Sequence, residues 1–187
     1  FGEWSLSHSE AGWLSGIFFG AYALSVPLLV TLTDRIPARS IYLGAVMLTA
    51  ASHLAMATVG EGFWTGLVLR VAAGIGWAGT YMVGLRALTD EVSGAAQSRA
   101  VAANAASIGV SGALSFLLAG WLERSFGWDT AFVVVGICSL AALLMAFLLF
   151  PRRQPPATTG GKLFDFRPVL RNRSAMAYSI GYCAHTW

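Results

Sequence analysis

Residues 130–151 read TAFVVVGICSLAALLMAFLLFP, a run of 22 residues between Asp129 and Arg152 that carries no charge. An α-helix rises ~1.5 Å per residue and the hydrocarbon core of a bilayer is ~30 Å thick, so about 20 apolar residues cross it. Working outward from this run, the same pattern recurs. Uncharged stretches of 23, 21 and 23 residues separate Glu10 from Asp34, Arg39 from Glu61 and Arg99 from Glu123. Residues 62–86 form a further stretch interrupted by Arg70, and residues 174–187 begin another. Composition agrees, with 56% hydrophobic and 11% charged residues, against the ~25% charged residues of a soluble domain. The sequence predicts an all-α, polytopic transmembrane helical bundle. Five full spans fall at 10–32, 40–59, 63–88, 100–122 and 130–150, with part of a sixth after them.

Alternating spans put Arg35, Arg39, Arg86, Arg99, Arg152, Arg153, Lys162, Arg167, Arg171 and Arg173 on one side of the membrane, ten of the twelve basic residues. Arg124 falls on the other side and Arg70 inside. Positively charged short loops stay cytoplasmic, so the ten are assigned to the cytoplasm and Phe1 to the outside. This topology also explains the basic balance of the chain without invoking nucleic acid. Trp4, Trp13, Phe63, Trp64, Trp121 and Trp128 sit at the outer ends, where amphipathic rings anchor at headgroup level. Ser7-His8-Ser9-Glu10 has the capping-box pattern, and Gly127-Trp128-Asp129 offers a stop and a new cap. The Pro-, Gly- and Arg-rich stretch 151–173 reads as a linker. Three regions follow: an N-terminal bundle at 1–150, a cytoplasmic linker at 151–173, and the start of a second bundle at 174–187. A start without methionine and an end inside an apolar run read as a fragment.

Several patterns within the spans carry chemistry. Gly12, Gly16 and Gly20 make a small-residue ridge suited to close helix packing. Arg70 lies four residues before Gly74 and six before Gly76. An intramembrane arginine costs ~2.5–3.5 kcal/mol on insertion scales. It therefore either marks a solute pathway or bonds carbonyls of a neighbouring helix. Arg70, Gly74, Trp77 and Tyr81 share one helix face, as do Asn104, Ser107, Ser111 and Ser115, and again Tyr178, Tyr182 and His185. Such faces turn from lipid towards protein or water. The serines are expected to bond between helices, and Trp77 and Tyr81 to line a cavity. Between the first two spans, residues 30–39 read VTLTDRIPAR, a short charged turn.

Taken in order, these motifs resemble the major facilitator superfamily of secondary transporters, from its second helix to the start of its seventh. The family's loop signature, Gly-x-Leu-Ala-Asp-Arg-x-Gly-Arg-Lys, is matched by Leu32, Asp34, Arg35 and Arg39. Val30, Pro37 and Ala38 replace two glycines and one basic residue. The fourth-helix signature, Arg-x-x-x-Gly-x-Gly, is matched by Arg70, Gly74 and Gly76, and Gly127-Trp128 with Ala131-Phe132 is similar to the family's approach to its sixth helix. The resemblance implies one helix before Phe1 and a second bundle after Trp187, with transport by alternating access around a site near the midplane. It also implies that the span 63–88 and the segment from Ser174 line the central cavity. The expected solute-binding residues are thus Arg70, Trp77, Tyr81, Asn104, Tyr178 and Tyr182. Asp34, Arg35, Arg39, Asp90 and Arg99 are expected to form a cytoplasmic gate.

One positive charge and no carboxylate within the span cores suggest a small organic anion as solute. Absence of an arginine from the first span disfavours nitrate, and absence of Gly-Pro from the fourth argues against a drug exporter. The expected partners are a small molecule, a coupling ion such as a proton, and the lipid bilayer of a bacterial inner membrane. A monomeric, non-enzymatic protein without cofactor or nucleic-acid ligand is expected. His8, His53 and His185 are too scattered for a metal site, and Cys138 and Cys183 lack redox spacing. Two rival readings stand beside this one. Gly109-Val110-Ser111-Gly112 followed by His185 has the order of a rhomboid-like intramembrane serine protease, and a non-transporting scaffold would keep the same helices.

Overall fold

The computed structural model describes residues 4, 6–150, 170–174, 176, 177, 180 and 181. They contain five long helices: α1 (His8–Leu32), α2 (Ala38–Val59), α3 (Gly62–Glu91), α4 (Gly94–Phe126) and α5 (Trp128–Leu149). All five are long and apolar enough to cross a membrane, and no strand occurs among the described residues. The chain divides into two compact units, Phe1–Pro156 and Ala157–Trp187. Within the second, the described residues include helical pairs at 170–171, 173–174 and 176–177.

Helix ends follow from local chemistry. At the start of α1, the Glu10 amide donates to Ser7 Oγ at 3.3 Å and the Ser7 amide donates to Glu10 Oε2 at 2.8 Å. This is the reciprocal capping box expected from sequence. Gly127 ends α4 at φ 99°, a left-handed region open to glycine, and its amide donates to the Glu123 carbonyl at 3.1 Å. The stop is as expected, whereas no side chain caps the start of α5. α4 begins at Gly94, well ahead of the apolar run. Its 33 residues make ~50 Å of helix, so the turns around Arg99 extend beyond the hydrocarbon.

Packing centres on α3, which lies against α1 and α2, while α5 packs on α2. Lipid tails are as apolar as leucine, so helices in a bilayer associate through close van der Waals contact rather than by escaping water. Small residues on α3 make that contact. A Cβ on Gly74 would strike the Phe18 carbonyl oxygen, one on Gly76 would strike Thr49 Oγ1, and one on Gly79 would lie 2.5 Å from Ala45 Cβ. Ala45, Val46, Ala50 and Met56 of α2 and Ala73, Ala78 and Val83 of α3 are buried. The Gly12, Gly16 and Gly20 ridge of α1 meets nothing within 4 Å. The close approach to α1 comes instead from the α3 side. α4 buries none of its residues and packs on α5 and α3.

Candidate functional site

Arg70 on α3 is half-buried. Its Nε donates to the Leu14 carbonyl of α1 at 3.2 Å, and its guanidinium carbon lies 5.1 Å from the centre of the Phe18 ring. A buried cation needs such partners, and the geometry shows it tying α3 to α1. Beyond Arg70 on the same face, Trp77 gathers four rings. Phe18 stacks on it at 5.5 Å, Tyr22 lies tilted at 4.4 Å, Phe19 meets it edge-on at 6.3 Å, and Tyr81 stacks at 6.2 Å. Gly74 leaves the room that brings α1 close enough for this cluster. The sequence face of Arg70, Trp77 and Tyr81 is therefore one physical surface. Phe18, Phe19 and Tyr22 were missed, although the i, i+4 spacing of Phe18 and Tyr22 within the first span was a readable signal.

Asn104 lies on α4. It lines a cavity of about 550 Å³ together with Tyr42, Thr80, Gly84, Met145 and Phe150, from α2, α3 and α5. The Thr80 hydroxyl donates to the Trp77 carbonyl within α3 at 3.0 Å. Asn104 Nδ2 is buried with no hydrogen-bond partner among the described residues. Ser107, Ser111 and Ser115 are exposed and donate to carbonyls three residues back in α4, at 2.7, 3.2 and 2.8 Å. The expected interhelical bonds of these serines are thus replaced by bonds within the helix. Tyr178, Tyr182 and His185 lie outside the described residues.

At the arginine-rich end, Arg86 Nη2 and Asp34 Oδ1 form an ion pair of 2.7 Å, and Arg86 Nη1 donates to the Val30 carbonyl at 3.2 Å. This joins the end of α3 to the α1–α2 turn, whose buried Thr33 hydroxyl donates to the Val30 carbonyl at 2.6 Å. Among the five expected gate residues, Asp34 thus pairs with a sixth, Arg86. Arg39 turns to α5, donating from Nε to the Phe150 carbonyl at 3.1 Å and from Nη2 to the Phe147 carbonyl at 2.6 Å. Arg99 Nε donates to the Ala95 carbonyl of its own helix at 3.3 Å. Arg35 and Asp90 are exposed at the same end.

Comparison with known proteins matches residues 1–186 to the Major Facilitator Superfamily. The chain is also similar to a protein named Multidrug resistance protein B homolog in two strains of Mycobacterium tuberculosis. Each is 24% identical over 168 residues, covering 90% of this chain and 30% of the relative. The chain thus spans 30% of the length of the curated relatives it matches.

Proposed function

This chain belongs to the major facilitator superfamily, and we propose that the full protein is a secondary transporter that carries a small amphipathic aromatic solute by alternating access. The observation that carries the solute class is the ring cluster centred on Trp77. A broad π surface half-open on a membrane helix accepts flat apolar molecules without demanding one hydrogen-bond pattern. The multidrug name of the mycobacterial relatives supports the same reading. Trp77 and Tyr81 offer the stacking surface, Asn104 lines the cavity between α4 and its neighbours, and Tyr178 and Tyr182 are proposed as further solute-binding residues. Arg70 holds α1 and α3 in register beneath the rings.

At the cytoplasmic face, Asp34, Arg35, Arg39, Asp90 and Arg99, joined by Arg86, act as the gate that closes one end while the other is open. A proton is the proposed coupling ion, and a bacterial inner membrane the proposed location. The proposed boundaries are an N-terminal bundle at 1–150, a linker at 151–173 and a second bundle from 174.

A second reading, a small organic anion, is favoured by Arg70 as the lone formal charge in the middle of α3. Flux of ethidium and of succinate, an anion without a ring, into proteoliposomes of the full protein separates the two. Losing one stacking partner removes ~0.5–1.5 kcal/mol beyond area burial. Trp77→Ala should therefore slow ethidium flux about threefold to tenfold, while Trp77→Phe preserves it. Equal flux in Trp77→Ala and wild type would overturn the aromatic reading. Succinate flux lost in Arg70→Gln and kept in Arg70→Lys would establish the anion reading in its place.

A further inference from the structure

Between them, α2 and α5 enclose a groove of about 440 Å³ whose walls include no ring of the Trp77 cluster and no gate residue. Its walls are Leu43, Gly44 and Met47 from α2 and Leu140, Leu144 and Phe147 from α5. All are apolar, and Met47, Leu144 and Phe147 are more than half exposed. The groove has an open floor, since a Cβ on Gly44 would meet nothing within 4 Å. From Leu140 to Phe147 it runs ~10 Å along α5, the length of about eight methylenes.

The groove is capped at one end by a cation. The Arg39 guanidinium lies 5.2 Å from the centre of the Phe147 ring, which is itself a wall of the groove. Two of the five N–H donors of Arg39 bond the Phe147 and Phe150 carbonyls, which orients the fork and leaves three donors for another acceptor. Phosphate matches that fork in shape and charge.

We propose that this groove binds an anionic phospholipid of the cytoplasmic leaflet, with an acyl chain between α2 and α5 and the headgroup phosphate on Arg39. An apolar slot that opens sideways at membrane depth and ends at a cation on the positive side of the bilayer fits an amphiphile with a hydrocarbon tail and a negative head. Basic pockets between membrane helices on that side hold anionic headgroups for this reason. A zwitterionic lipid brings its own ammonium to the phosphate and gains less from Arg39. Occupancy would link the α1–α2 turn, through Arg39, to the end of α5, and it holds whether the solute is aromatic, anionic or neither.

The test uses the full protein, delipidated in mild detergent and titrated with phosphatidylglycerol or with phosphatidylcholine of the same chains. Bound lipid is counted by native mass spectrometry, and thermal stability is followed in parallel. Wild type should retain phosphatidylglycerol about fivefold better, the preference expected for one cation near the lipid surface. Arg39→Gln should abolish that preference. Because Arg39 also caps α5, Gly44→Leu is the second variant. Its Cβ meets nothing within 4 Å, and the longer side chain should occupy the floor, so the variant should lose the bound lipid while its lipid-free melting temperature is unchanged or raised. Inorganic phosphate alone should give no stabilisation. Equal retention of the two lipids by wild type, retention of phosphatidylglycerol by Gly44→Leu, or full stabilisation by inorganic phosphate would each overturn the proposal.

Discussion

Replacing Gly79 with alanine adds one methyl group at the α2–α3 seam, where its carbon would lie 2.5 Å from Ala45 Cβ and 3.4 Å from Leu29 Cδ1. Carbons in contact sit ~3.5–4.0 Å apart, so the seam must open by about 1 Å or more. Overpacking of this kind costs ~1–3 kcal/mol, while the change from glycine to alanine inside a helix returns ~0.8–1.0 kcal/mol. The propensity gain cancels against a control, Gly12→Ala, whose new methyl meets nothing within 4 Å. The difference between the two variants therefore isolates the seam, and Gly79→Ala should be less stable than Gly12→Ala by ~1–3 kcal/mol. Reversible unfolding of the full protein in mixed micelles measures it. Moving the methyl group across the seam, Ala45→Gly combined with Gly79→Ala, should recover most of the loss. Two alanine variants of equal stability would refute the account of α3 as the helix whose small residues set the packing.

Three further outcomes are expected. Asp34→Asn should greatly reduce solute flux while membrane insertion and melting temperature stay near wild type, because a partly exposed ion pair stabilises by only ~0–1 kcal/mol; flux at the wild-type rate would count against the gate. Exchanging the pair, Asp34→Arg with Arg86→Asp, should restore part of the flux lost in either single variant, as read in the same proteoliposomes. Ser7→Ala removes the α1 cap and should lower stability by ~1 kcal/mol, with flux retained at temperatures well below the melting transition.

The five helices were legible because four runs without charge and one interrupted only by Arg70 are each long enough to span the bilayer and are closed by charged or capping residues. Ser7 with Glu10 and the positive-φ Gly127 announced their ends locally, through chemistry that depends on a few neighbouring residues. α4 was less legible at its start, since the helix continues past the apolar run into the polar turns around Arg99, where hydropathy is silent. Arg70, Trp77 and Tyr81 could be placed on one face by their spacing. Their ring partners on α1 depend on which helix lies opposite, and no single-helix period encodes that. The same holds for the loop arginines. Asp34 could pair with any of several nearby cations, and only the docking of α3 against the α1–α2 turn selects Arg86. Arg39 was grouped with the gate by its place in the loop, yet the end of α5, 108 residues further on, is where it bonds. Glycines mislead in a related way, because Gly12, Gly16 and Gly20 have the periodicity of a packing ridge while Gly74, Gly76 and Gly79 make the contacts.

Alternating access by the full protein is most directly tested by counterflow in sealed proteoliposomes. Vesicles loaded with excess unlabelled solute are diluted into a trace of labelled solute with no ion gradient. A carrier that exposes one site to each side in turn exchanges the two, so labelled solute should rise transiently above its outside concentration and then decay. That overshoot should be slowed in Asp34→Asn and in Trp77→Ala. Labelled solute that only equilibrates, or vesicles that behave as protein-free ones do, would contradict the account.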